Sequence, residues 1–81
     1  MLSAIPLTQL RCGQSATVQG FSPDIAPQCR KLLQHLGITR QTTITLIRRA
    51  PLGDPLQLQI LGSQFSLRSS EACHIYVEYS N

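Results

Sequence analysis

Apolar and polar residues alternate along much of this chain. Leu56, Leu58 and Ile60 are separated by Gln57 and Gln59. Phe65 and Leu67 alternate with Gln64, Ser66 and Arg68, and Ile75, Val77 and Tyr79 with His74, Tyr76 and Glu78. Earlier, residues 15–20 place Ala16 and Val18 on one side and Thr17 and Gln19 on the other, before Gly20-Phe21-Ser22-Pro23 ends the run. A period of two with one polar face predicts antiparallel strands over a core. Thr42 to Arg49, rich in Thr and Ile, adds another strand. Within it Ile44 and Leu46 are the core candidates, so Ile47 either points outward or is buried where the sheet curls. Gly62-Ser63 is the expected tight hairpin turn, and Ser69 to Ala72 a single helical turn.

One segment has a helical period instead. Between Ala26 and Leu36, the residues Ile25, Cys29, Leu32, Leu33 and Leu36 fall on one stripe, with Gln28, Arg30, Lys31, Gln34 and His35 opposite. Pro27 suits a first turn, where its missing N–H costs nothing, and Gly37 is a C-terminal stop. The stripe is expected to plug the core. Five short strands, one α-helix after the first and a helical turn before the last predict a mainly β domain: a small five-stranded, partly open SH3-like barrel. Leu7 and Leu10 are further apolar anchors ahead of Gly13.

Length adds a limit. Eighty-one residues make a single domain, 1–81, whose small core leaves little room for a deep active site. Charged residues are only 14%, so part of the surface is expected to be apolar and covered. Six arginines and one lysine against four acids give a net charge of +3, a mild bias without the dense basic patch of a nucleic-acid domain. Cys12, Cys29 and Cys73 are odd in number and lack metal spacing, which predicts reduced thiols in the cytoplasm. Met1 to Pro6 has no signal-peptide pattern, and no stretch approaches the ~20 apolar residues of a membrane span.

Metal and catalytic readings find little support. Cys73 and His74 are neighbours on a strand and point to opposite faces. His35 lies on a different helix face from Cys29. Asp24, Asp54, Glu71 and Glu78 are scattered, leaving no acid/base pair, and no glycine-rich phosphate loop is present. No catalytic residue, metal ligand or cofactor is expected.

The segment Ala50-Pro51-Leu52-Gly53-Asp54-Pro55 is the most informative part of the chain. Two prolines fix φ near −65°, Gly53 supplies a position open to left-handed backbone, and Asp54 before a proline is pushed toward extended geometry. The result is a stiff connection between two strands with Leu52 free to contact a partner. Candidate partner-binding residues are therefore Pro51, Leu52, Gly53 and Asp54, with Ile47 beside them and Arg30, Lys31 and Gln34 on the outward helix face.

Together with Leu32, Leu36-Gly37-Ile38, Leu67-Arg68, Glu71-Ala72 and Ile75-Tyr76-Val77, this loop resembles the FeoA family, ferrous iron transport protein A. The likeness spans about residues 5–79 and includes Leu7, Leu10, Gly13, Val18 and Gly20-Phe21. It departs at Arg40-Gln41, where the family has a Pro-Gly-like turn, so Gln41 must adopt positive φ or the turn must differ. The resemblance implies an SH3-like, non-enzymatic accessory protein of bacterial ferrous iron uptake. It would bind the cytosolic G-domain region of the ferrous iron permease, and so be cytoplasmic and held at the inner membrane by its partner without inserting. A weak homo-oligomer is left open. The alternatives are a small-barrel nucleic-acid module, for which Tyr76 is the one plausible outward ring, and an iron-binding chaperone or sensor using His and Cys, His35 and His74 among them.

Overall fold

The computed structural model describes residues 4–79; the ends of the 1–81 domain, and the Met1–Ser3 part of the signal-peptide reading, lie outside them. The strands are β1 (Ile5–Pro6), β2 (Ser15–Phe21), β3 (Thr43–Arg49), β4 (Leu56–Ile60), β5 (Ser63–Leu67) and β6 (Ile75–Tyr79). Two α-helices interrupt them: α1 (Pro27–His35) and α2 (Ser69–Ala72), and a 3-10 turn covers Leu7–Gln9. All pairings are antiparallel, in the order β1-β6-β2-β3-β4-β5. The sheet thus has six strands rather than five, and its ends, β1 and β5, do not pair with each other. The extra strand is two residues long, Ile5 opposite Val77 and Pro6 opposite Tyr76. Two residues are too few to show a period in the sequence.

Alternation decides which face is covered. Ala16 and Val18 of β2, Ile44 and Leu46 of β3, Leu56, Leu58 and Ile60 of β4, Leu67 of β5, and Ile75 and Val77 of β6 are all buried. Two bulges adjust the sheet. In β2 the register shifts between Val18 and Gly20, so pairing continues to Phe21 opposite Ile75 rather than stopping at Gly20. In β3 it shifts between Leu46 and Arg48, which leaves Ile47 as the extra residue, half-buried. A bulge places two residues opposite one and bends its strand, which is why Ile47 breaks the alternation.

The helix plugs less of the core than its stripe predicts. Leu33 is fully buried, and Ile25 and Cys29 pack partly against the core. Leu32 is 49% exposed and Leu36 38%. Ile25, Cys29 and Leu33 are four apart and share one line, whereas Leu32 and Leu36 lie on its flank. The remaining volume is filled by Leu7, Leu10 and Ile38, none of them in α1 and all buried. Ile38 is set by the helix end. Gly37, at φ 94°, donates its N–H to the Gln34 carbonyl at 3.0 Å, and Ile38 donates to the Leu33 carbonyl at 3.0 Å. This is a Schellman ending, and its apolar pair is Leu33 with Ile38.

Among the described residues, two that are not glycine adopt positive φ. Gln41, at 76°, sits in the turn closed by the Thr42 N–H on the Thr39 carbonyl at 3.1 Å, and its own N–H reaches the Val18 carbonyl at 2.8 Å. Positive φ is thus the solution at Arg40-Gln41, at a cost of about 1 kcal/mol for a residue with a Cβ. The β4–β5 turn is Leu61-Gly62, one residue earlier than Gly62-Ser63, because Ser63 already pairs with Ile60. Leu61, at φ 50°, is 95% exposed there.

Replacing Leu33 with Ala should cost about 3 kcal/mol in urea unfolding, through lost transfer energy and a residual cavity. Leu32→Ala should cost less than about 1 kcal/mol, since its side chain is already half in water.

Candidate functional site

The loop from Ala50 to Pro55 is closed by two backbone bonds. Ala50 donates to the Pro55 carbonyl at 3.0 Å, and Gly53 donates to the Ala50 carbonyl at 2.7 Å. Gly53 has φ 90°, which a side chain would strain, and the Asp54–Pro55 peptide is cis. A third bond leaves the loop: the Asp54 carboxylate accepts the Ser69 N–H at 2.7 Å. Ser69 is the first residue of α2, whose early amides lack intrahelical partners. Asp54 therefore caps a helix fifteen residues away, and Glu71 accepts the Arg68 N–H at 3.2 Å beside it. Leu52 crowns the loop at 97% exposure. A free apolar side chain on a chain segment held by three hydrogen bonds is suited to contact.

Two depressions that share no lining residue border candidate residues from the loop and from the helix. One, of about 360 Å³, lies beneath the loop and is lined by Pro51 and Pro55 with Arg48, Arg49, Gln57 and Ser66. The other, of about 480 Å³, holds Arg30, Lys31 and Gln34 over Phe21, Pro23 and Ile25. The Arg30 guanidinium stands 5.8 Å from the centre of the Phe21 ring, in cation–π range. Pro51 and the three helix candidates thus line different depressions, and Leu52, Gly53 and Asp54 line neither. Ile47 lines neither, being taken up by the β3 bulge.

Residues outside the predicted set prove informative. Arg49 is half-buried and donates to the main-chain carbonyls of Thr8 and Leu10, the latter at 3.0 Å, tying the end of β3 to the N-terminal segment. Across the outer face, Arg48 Nε donates to Gln57 Oε1 at 2.8 Å, and Gln57 Nε2 donates to Gln64 Oε1 at 2.7 Å. The adjacent Arg48-Arg49 pair and the glutamines alternating with leucines were the sequence signals for both arrangements.

Among the described residues, no group of three or more His, Cys, Asp or Glu side chains converges on a point where an ion would sit. Burial pushes the Cys29 thiol above its ordinary pKa, and the nearby Glu71 and Cys73 charges add to this. Cys12 and Cys73 are exposed, with the Cys73 thiol donating to the Ser70 carbonyl at 3.3 Å. Of the rings, Tyr79 is the exposed one at 42%, whereas Tyr76 is half-buried. No helix of the described residues is long and apolar enough to cross a membrane.

The family profile of the FeoA domain matches residues 5–79. An FeoA-like protein from Clostridium acetobutylicum is 34% identical, with a TM-score of 0.88 over 100% of this chain and 92% of that one. An FeoA protein from Chlorobium tepidum is 31% identical, with a TM-score of 0.87 over 95% of this chain and 71% of that one. FeoA from Stenotrophomonas maltophilia, a prokaryotic SH3 domain protein solved with zinc, is 27% identical, with a TM-score of 0.79 over 94% and 89%. The sheet described above is therefore an SH3-like fold in open form.

Removing the cap tests the loop's tether. Asp54→Ala should lower stability by about 1 kcal/mol in urea unfolding, while Asp54→Asn, which keeps an acceptor oxygen, should retain most of it. Equal losses in the two variants would mean that the Ser69 bond contributes nothing.

Proposed function

The chain belongs to the FeoA family, and we propose that it is a small accessory protein of ferrous iron uptake that acts by docking on the cytosolic part of the ferrous iron permease. Its role is binding without a catalytic step, carried out in the cytoplasm and brought to the inner membrane by that partner. The family match over residues 5–79 supports the iron-transport context. Support for docking comes from Leu52, which is 97% exposed on a loop fixed at its base and tied to α2. Burying a leucine is worth about 2 kcal/mol, and a pre-ordered loop loses little entropy when it is covered. The free protein thus presents an apolar contact that a partner covers at small conformational cost.

The surrounding residues extend this reading. Pro51 and Gly53 shape the loop, and Asp54 holds it. Arg30, Lys31 and Gln34 offer a second, basic surface over Phe21. Basic residues at a rim act mainly on the rate of encounter and its salt dependence, whereas a central apolar anchor acts on dissociation.

Pull-down or calorimetry with the permease's cytosolic region tests the reading. Leu52→Asp should weaken binding at least about tenfold, by putting a charge where an apolar side chain is covered. Unchanged affinity in that variant would remove the loop from the interface.

A further inference from the structure

The groove beneath the proline loop has two unlike sides. Pro51 and Pro55 form an apolar wall, and Arg48, Gln57 and Ser66 a polar floor, about a space of about 360 Å³. The floor residues are register partners: Arg48 faces Gln57 across β3 and β4, and Gln57 faces Ser66 across β4 and β5. Residues directly opposite on neighbouring strands project from the same face, so the three form one row.

The row fixes its arginine. Gln57 uses its oxygen on Arg48 Nε and its amide nitrogen on Gln64. Arg48 is thus gripped at Nε, and its two terminal amino groups have no partner among the described residues. Arg49 adds positive charge beside it and is held by its Nη2, which donates to the Thr8 and Leu10 carbonyls. Among the described residues, no acidic side chain lines the groove. Asp54, the acid in the adjoining loop, is committed to Ser69. The groove therefore offers an uncompensated planar donor fork, a nearby hydroxyl and a rigid apolar wall.

A carboxylate next to an apolar side chain matches that combination, because a guanidinium fork binds a carboxylate through two parallel bonds. We infer that this groove receives an acidic segment of a partner protein, with one Asp or Glu carboxylate on Arg48 and a neighbouring apolar side chain against Pro51 and Pro55. The inference rests on the docking role given above and names the chemistry of the segment that docks. Charge complementarity selects the occupant: two arginines and no acid at the groove, on a chain of net charge +3.

The test is an NMR titration of the ¹⁵N-labelled full chain with the blocked peptide acetyl-Leu-Glu-Leu-Glu-amide. Saturable shifts are expected at the Arg48 Nε–H and at the Gln57 and Ser66 amides. Affinity should fall at least tenfold for Arg48→Gln and for the matching peptide with Gln in place of Glu. Ser66→Ala, a second variant with the arginine intact, should lose a few-fold. Unchanged dispersion of the spectrum shows that each variant is folded. No saturable shift at these positions, or equal binding by Arg48→Gln, overturns the inference. Shifts of equal affinity from inorganic phosphate at the same ionic strength overturn it too, because they would make the groove a plain anion site. The permease's cytosolic region, titrated in parallel, separates the two claims. If the peptide binds and that region does not, the iron-permease reading fails while the groove stands. If that region binds and the peptide does not, the groove fails while the docking role stands.

Discussion

The hydrogen bond from the Ser69 N–H to the Asp54 carboxylate carries the β4–β5 pairing beyond its last register pair, Leu56 opposite Leu67, and ties the proline loop to α2. Asp54 belongs to the β3–β4 connection, Ser69 to the helical turn between β5 and β6. A single acceptor thereby satisfies an otherwise orphaned helix amide and anchors the proline loop at its far end. With that end held, the two bonds inside the loop keep Leu52 in one place, and Pro51 and Pro55 become a fixed wall for the groove beneath. The segment's stiffness comes from proline and glycine; its position comes from Asp54.

The fold makes such a surface available because its core takes one face of the sheet. Alternate side chains of β2, β3, β4 and β6 point inward, and Leu7, Leu10, Leu33 and Ile38 cover them. Gln57, Gln64 and Ser66, on the opposite parity, face outward, and Arg48 joins them because the bulge at Ile47 reverses the parity of β3. A domain of this size has few residues to spare for a deep cavity. Its means of acting on a partner are therefore shallow grooves, loop tips and a row of cross-strand hydrogen bonds that holds an arginine in place. FeoA relatives share this frame at TM-scores of 0.79 to 0.88, so the chemistry particular to this chain lies in which side chains decorate it.

Much of this was legible in the sequence, for reasons that differ by element. Strands β4 and β6 alternate strictly, and their bounds follow from Leu56-Gln57-Leu58-Gln59-Ile60 and from Ile75 to Tyr79. The helix end at Leu36-Gly37 was legible because glycine takes, without a Cβ penalty, the left-handed backbone that ends a helix. The burial of the helix stripe was not, because a period of 3.6 shows that a face is apolar without showing how wide a partner surface covers it. Leu32 and Leu36 stay exposed because the line of α1 that meets the core runs through Cys29 and Leu33, with those two leucines on its flank. Ile47 and Phe21 depend on bulges, which leave no trace in local composition. The bond from Ser69 to Asp54 was not legible, because residue 54 meets residue 69 only once the β4–β5 register, Leu56 opposite Leu67, is known. The groove needed the register of three strands before Arg48, Gln57 and Ser66 could be seen as one row.

Both functional readings depend on the loop being a rigid platform in the free protein. Backbone ¹⁵N relaxation of Ala50, Leu52, Gly53 and Asp54 measures this most directly. The account predicts order parameters near those of rigid backbone, about 0.85, falling in Asp54→Ala. Values below about 0.6 in the parent protein would contradict it, since a loop that mobile could neither present Leu52 at low cost nor wall a groove.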